Sequence, residues 1–127
     1  MAGEQVLVVE DNEKNMKLFR DVLEASGYRL LEATTGHDAL ALAADHEPDL
    51  VLMDIQLPDI DGVETLRRLR ADARTTATPV LALTAQAMHG DRERFLEAGF
   101  DGYISKPVDV LALLAAVREH CDGAAVE

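Results

Sequence analysis

The sequence predicts an α/β fold in which five short parallel strands alternate with five helices in one open sheet. Three observations carry that prediction. Short apolar runs alternate with longer amphipathic segments five times along the 127 residues. The clearest runs, Val6-Leu7-Val8-Val9 and Leu50-Val51-Leu52-Met53, are continuous rather than alternating, as strands are when helices cover both faces of a sheet. Turn formers and charged residues then punctuate the chain where the runs end. The length suits one domain with a sizeable core, 1–127, with no output domain.

Each element follows from local signals. A first strand is expected over about 5–9 and a first helix over about 13–25, with Gly27 as a left-handed stop just beyond it. A second strand covers about 28–33. Thr35 reads as the N-cap of a second helix, with Asp38 three residues on in a box-like pattern, and that helix runs to about 45. Pro48-Asp49 leads into a third strand over about 50–53. The turn-rich loop Leu57-Pro58-Asp59-Ile60-Asp61-Gly62 precedes a third helix over about 63–71. Thr75 to Pro79 connects to a fourth strand over about 80–83, followed by a fourth helix over about 88–97 with Gly99 just past its end. A short fifth strand over about 102–104 and a fifth helix over about 108–121 complete the pattern, and the last residues are expected to fray. On the first helix, Met16, Phe19 and Leu23 share one stripe, the core side. Leu18 falls nearly opposite, next to Val22 at the margin.

Composition excludes several function classes. The net charge is −12, from 24 acids against 12 bases, which argues against a nucleic-acid surface built on Lys and Arg. Arg67, Arg68 and Arg70 are interleaved with Leu66 and Leu69 and read as a solvated helix face. No apolar stretch approaches the ~20 residues of a membrane span, and the N-terminus lacks a signal-peptide pattern. The expected localisation is cytoplasmic. Cys121 is a single cysteine and forms no internal disulfide. The histidines His37, His46, His89 and His120 lack metal-ligand spacing and read as surface residues.

The chemistry gathers at strand ends. In an open parallel sheet, ligands bind at the carboxyl ends of the strands, and that is where Glu10-Asp11, Asp54 and Lys106-Pro107 stand. Three carboxylates and an ammonium there make a site for a divalent cation and a phosphoryl group. An aspartate can accept a phosphoryl group as an acyl phosphate. Glu10 and Asp11 beside Asp54 would raise one another's pKa values unless a cation joined them. Mg²⁺ fits, as a hard ion taking one or two carboxylates plus phosphate oxygens and waters. Lys106 would bring a compact charge to the phosphoryl oxygens.

The ordered set Glu10-Asp11, Asp54, Thr84-Ala85, Tyr103 and Lys106-Pro107 resembles the receiver domains of two-component response regulators, from end to end of the chain. Its wording in 9–13, 52–58 and 103–107 is close to that of single-domain members, and receivers of hybrid histidine kinases are worded similarly. The resemblance implies a doubly wound flavodoxin-like three-layer sandwich, with the sheet in the order 2-1-3-4-5. It implies Asp54 as phosphoacceptor, with Lys106 and Thr84 at the phosphoryl group. The Mg²⁺ ligands it implies are Asp11, Asp54, the backbone carbonyl of Gln56, and Glu10 through water. Thr84 and Tyr103 would form the switch, and a cis Lys106-Pro107 bond would aim the lysine inward. A trans proline at the start of the fifth helix remains the alternative reading.

The implied partners are a sensor histidine kinase or phosphotransfer protein and a downstream protein target. The donor would dock near Asp54 on Lys14, Asn15, an exposed Leu18 and Pro107. The target would read the face made by helix 4, strand 5 and helix 5. Neither nucleic acid nor membrane is implied, and the closeness to single-domain members points to cell-cycle or developmental control. Such a protein is no turnover enzyme, since it only phosphorylates and slowly dephosphorylates itself. Competing readings are a phosphorylation-independent adaptor and a receiver excised from a hybrid kinase. A haloacid-dehalogenase phosphatase would need an acid where Gln56 stands. A flavodoxin would need a Ser/Thr/Gly-rich loop where Glu10 to Glu13 stand.

Overall fold

The sheet takes the order that a doubly wound fold demands. A computed structural model describes residues 3–85 and 91–121. Its elements are β1 (Gln5–Val9), α1 (Glu13–Ala25), β2 (Arg29–Ala33), α2 (Gly36–His46), β3 (Leu50–Asp54), α3 (Gly62–Ala71), β4 (Val80–Thr84), α4 (Asp91–Ala98), β5 (Gly102–Ser105) and α5 (Val110–Cys121). The five strands are parallel in the order β2-β1-β3-β4-β5.

Continuity of the apolar strands has a direct packing cause. Successive side chains of a strand point to opposite faces. Val6 and Val8 of β1 therefore join Leu50, Leu52, Leu81 and Leu83 in one cluster, with Phe19 and Leu23 of α1 and Leu113 and Val117 of α5. Leu7 and Val9 join Val51, Met53, Val80 and Ala82 in the other, with Ala39 and Ala43 of α2, Leu66 and Leu69 of α3, and Phe95 of α4. A polar residue at any of these strand positions would sit in a core, whichever face it took.

Helix ends are closed by side chains that satisfy orphan N–H groups. Asn12 Oδ1 accepts from Asn15 N–H, Thr35 Oγ1 from Asp38 N–H, and Asp61 Oδ1 from Glu64 N–H. Gly27 turns the chain after α1 with φ of 92°, as its position predicts. Gly62 is required for a different reason. A Cβ there would lie 2.5 Å from the Asp54 carbonyl oxygen and 2.8 Å from Ile55 Cα, so α3 starts pressed against the backbone of the residue that ends β3.

Several expectations change. Leu18 is half-buried rather than exposed, although it joins neither core cluster. His120 is also half-buried, its Nδ1 within 2.9 Å of the Ala116 carbonyl oxygen. His37 and His46 are exposed as expected. Arg67 and Arg68 do form a solvated face, paired with Glu64. Arg70 does not belong to it. Its guanidinium turns to the carbonyls of Thr76, Thr78 and Gly99 and to Asp101 Oδ2, which itself accepts from Val80 N–H. Helix 5 starts two residues later than predicted, after a cis Lys106-Pro107 bond, so Pro107 is not in its first turn. Cys121 packs half-buried against the core. His89 and the expected first residues of α4 lie outside the described residues.

Candidate functional site

Register alone brings the acids together. Val9 pairs with Met53, so the next residues, Glu10 and Asp54, are level at the carboxyl ends of β1 and β3. That is where the strand order reverses, the crevice in which doubly wound folds bind ligands. Asp54 pairs with Leu83, and Thr84 with Ser105, which places Lys106 one residue beyond the end of β5. The ladder extends through Ile55 N–H to the Leu83 carbonyl (3.1 Å) and Lys106 N–H to the Thr84 carbonyl (2.8 Å), so the loops leave the sheet in fixed directions.

A cleft of about 410 Å³ opens over these ends. Glu10, Asp11, Asp54, Gln56, Thr84 and Lys106 all line it, together with Asn15. Glu10 is 1% exposed, Asp54 5% and Thr84 4%, whereas Asp11 is open to solvent. Lys106 Nζ lies 2.8 Å from Glu10 Oε1 and 2.9 Å from Asp54 Oδ2. Only the contact with Asp54 is aligned as a hydrogen bond, so Glu10 Oε1 is a buried acceptor with charge pairing but no hydrogen bond. The remaining oxygens are held by backbone: Asn12 N–H donates to Glu10 Oε2 (3.1 Å) and Gln56 N–H to Asp54 Oδ1 (2.9 Å).

Charge balance follows from that geometry. Burial pushes the Glu10 carboxyl above its ordinary pKa and the Asp54 charge adds to the push, against the opposing pull of Lys106 and the Asn12 N–H. Burial also works against the Lys106 ammonium, but its contacts with Glu10 and Asp54 outweigh it and hold the pKa above that of an ordinary lysine. One cation thus faces two buried acids and a third at the rim. Glu10, Asp11 and Asp54 each offer an oxygen within 4.8 Å of the others, an all-oxygen set that could hold a divalent ion. The unbonded Glu10 Oε1 fits the same reading, because a water on such an ion would satisfy it.

The remaining predicted residues fall around the cleft. Tyr103 is half-buried on β5, its ring centroid 6.2 Å from that of Phe95 on α4 at a tilt of 48°. Lys14 is exposed on α1 and Asn15 half-covered beside it, while Pro107 is exposed past Lys106. Leu18 is half-buried and joins neither core cluster. Sequence reasoning missed the Glu10–Lys106 pairing. It also missed Asn12, whose N–H holds Glu10 and whose side chain caps α1. An Asn directly before a helix-forming run was the available signal.

Comparisons with known proteins agree with this geometry. A family model described as the response regulator receiver domain matches residues 6–118. The polar-differentiation response regulator DivK of Brucella ovis is 49% identical over 115 residues, spanning 91% of this chain and 94% of its own. The receiver domain of the sensor histidine kinase PA1611 from Pseudomonas aeruginosa, solved with a magnesium ion coordinated in its active-site cleft, is 36% identical. It superposes with a TM-score of 0.87 over 95% of this chain and 99% of that one. The chemotaxis protein CheY4 of Vibrio cholerae is 26% identical with a TM-score of 0.87, over 94% and 99% of the two chains.

Proposed function

Because this chain belongs to the response regulator receiver domain family, we propose that it accepts a phosphoryl group on Asp54 from a histidine kinase or phosphotransfer protein and uses it to switch protein–protein binding. The observation that carries this is the half-buried Lys106 ammonium bridging the buried Glu10 and Asp54 at the point where strand order reverses. In the transfer, a P–O bond forms to an Asp54 carboxylate oxygen as the P–N bond of a phosphohistidine breaks. The electron pair leaves with the imidazole nitrogen, which takes a proton from solvent. Lys106 is placed to move from the Asp54 carboxylate to the phosphoryl oxygens, and the Gln56 N–H holds the other carboxylate oxygen in line. Asp11, Asp54, the Gln56 carbonyl and, through water, Glu10 would hold Mg²⁺. When bound, that ion supplies the positive charge that lets a dianionic phosphoryl group approach three acids. Water later hydrolyses the acyl phosphate. The protein acts on itself and turns over no separate substrate.

Readout would follow from Thr84 and Tyr103. Thr84 closes β4 and lines the cleft with Asp54, and the Tyr103 ring packs against Phe95 of α4; a hydroxyl drawn toward a phosphoryl oxygen and a ring that shifts with it would make up the switch. The face of α4, β5 and α5 would carry the signal to its target. It exposes Leu96 and, at the start of α5, Val110 and Leu111, the last 78% exposed. The donor would dock on Lys14, Asn15, Leu18 and Pro107. No described helix is long and apolar enough to cross a membrane, and we place the protein in the cytoplasm. The similarity to the polar-differentiation response regulator DivK supports a developmental role.

The test is incubation with phosphoramidate and Mg²⁺ followed by intact mass, with Asp54→Asn and a chelator as controls. A gain of one phosphoryl group, lost in both controls, is expected. A folded wild type that gains none would overturn the reading.

A further inference from the structure

One side chain outside the cleft ties the segment carrying Gln56, Leu57 and Pro58 to a different element. Asp59 stands midway along the β3–α3 connection, yet its carboxylate closes the start of α2. Oδ1 accepts from Gly36 N–H at 2.8 Å, Oδ2 accepts from His37 N–H at 2.9 Å, and Oδ2 lies 2.6 Å from His37 Nδ1. Thr35 caps the same helix through Asp38 N–H alone, so Asp59 serves the donors that the cap leaves orphaned. Its own burial works against the charge, but the N–H groups of His37, Gly36 and Ile60 hold the carboxyl well below the usual carboxylate range.

Packing supports the same tie. A Cβ on Gly36 would meet Ile60 Cγ1 at 2.4 Å and Thr65 Oγ1 at 2.6 Å, so the loop lies directly on the first turn of α2. At the loop's ends, Gly62 N–H donates to the Ile55 carbonyl at 2.8 Å and Gly62 abuts the Asp54 backbone. Those contacts close the loop on itself. They do not determine how its middle, residues 56–58, leans over the cleft. Gln56 N–H is held by Asp54 Oδ1 and Leu57 packs on the core, and the Asp59 bonds add the hydrogen-bonded tie of this segment to α2.

We propose that Asp59 is a positioning residue for the phosphoacceptor site, holding residues 56–58 at the cleft wall by its bonds to the start of α2, with His37 as an auxiliary clamp. The inference rests on the reading of Asp54 as acceptor and deepens it. Partners hydrogen-bonded to metal ligands typically change metal affinity by ten- to a hundred-fold when removed, and Asp59, acting one step further out, belongs at the lower end.

The experiment uses the full chain and three variants: Asp59→Ala, Asp59→Asn, which keeps an accepting oxygen for Gly36 N–H, and His37→Ala, which keeps both backbone donors. Amide exchange of Gln56 in metal-free protein, Mg²⁺ dissociation constants by calorimetry, and initial phosphoramidate rates at saturating Mg²⁺ are measured for each. The expected order of effect is His37→Ala smallest, Asp59→Asn intermediate and Asp59→Ala largest. The last should weaken Mg²⁺ on the order of ten-fold and lose Gln56 protection. If Asp59→Ala does not fold, the order of the other two decides. Melting temperatures that fall while Gln56 exchange and Mg²⁺ affinity stay at wild-type values would reduce Asp59 to a structural tie and overturn the proposal. A wild type that binds Mg²⁺ yet takes no phosphoryl group would sink the acceptor reading instead, and the affinity order would still decide the role of Asp59.

Discussion

Lys106 is the residue on which the metal-free site depends, because it separates two buried carboxylates from their mutual repulsion. Removing one partner of a buried pair leaves an uncompensated charge, so Lys106→Ala should lose about 3 kcal/mol of metal-free stability. Urea midpoints would read it, and a loss near zero would show that the acids already sit neutral. Glu10 makes the opposite prediction. Its pKa is raised above the ordinary 4.5, so the folded state binds its proton more tightly than the unfolded chain does. That contribution is fully present below pH 4.5 and is lost as pH rises through the raised value. Glu10→Gln should therefore gain on wild type in metal-free stability between acid and neutral pH, while binding Mg²⁺ more weakly. Melting temperatures across that range check it, and a wild-type advantage that grows with pH would contradict it. The strand-end acids were legible in the sequence because each follows an apolar run. The direct contact of Lys106 with Glu10 was not, since register rather than local pattern sets it.

Gly62→Ala tests whether α3 must begin against the phosphoacceptor strand. Backbone atoms, not flexible side-chain ends, occupy the space of the new methyl, so the cost should be about 1–3 kcal/mol from overpacking. The Asp54 and Ile55 amide shifts should move with it, and a variant with wild-type stability and shifts would show that the helix can slide. Thr35→Ala should cost about 1 kcal/mol through the lost α2 cap, measured in the same denaturation assay. At this scale the sequence spoke unevenly. β1 and β3 were clear because both faces are covered and the runs 6–9 and 50–53 are apolar throughout. The caps at Asn12 and Asp61 were available from residue type but read only at Thr35. Leu18 is half-buried where the wheel of α1 alone read it as exposed. The Asp59 tie to α2 was invisible, as it joins two elements whose proximity only the fold creates.

For the molecule as a whole, metal and stability are linked. A ligand that binds only the folded state at a hundred times its dissociation constant adds about 2.7 kcal/mol. Mg²⁺ should thus raise the melting temperature beyond what NaCl of equal ionic strength achieves, and Asp54→Asn should shrink that difference. Equal effects of the two salts would mean that Mg²⁺ merely screens the net charge of −12.

The strand order also sets a timetable for synthesis. β1 and β3 are neighbours, so Glu10 and Asp54 can be brought level once the first half of the chain has left the ribosome. Their counter-ion waits for β5, which pairs only with β4 at the far edge of the sheet. A nascent chain, or one truncated before residue 106, carries the acids without the ammonium that reconciles them. Completion of the last strand is therefore what brings Lys106 to Asp54.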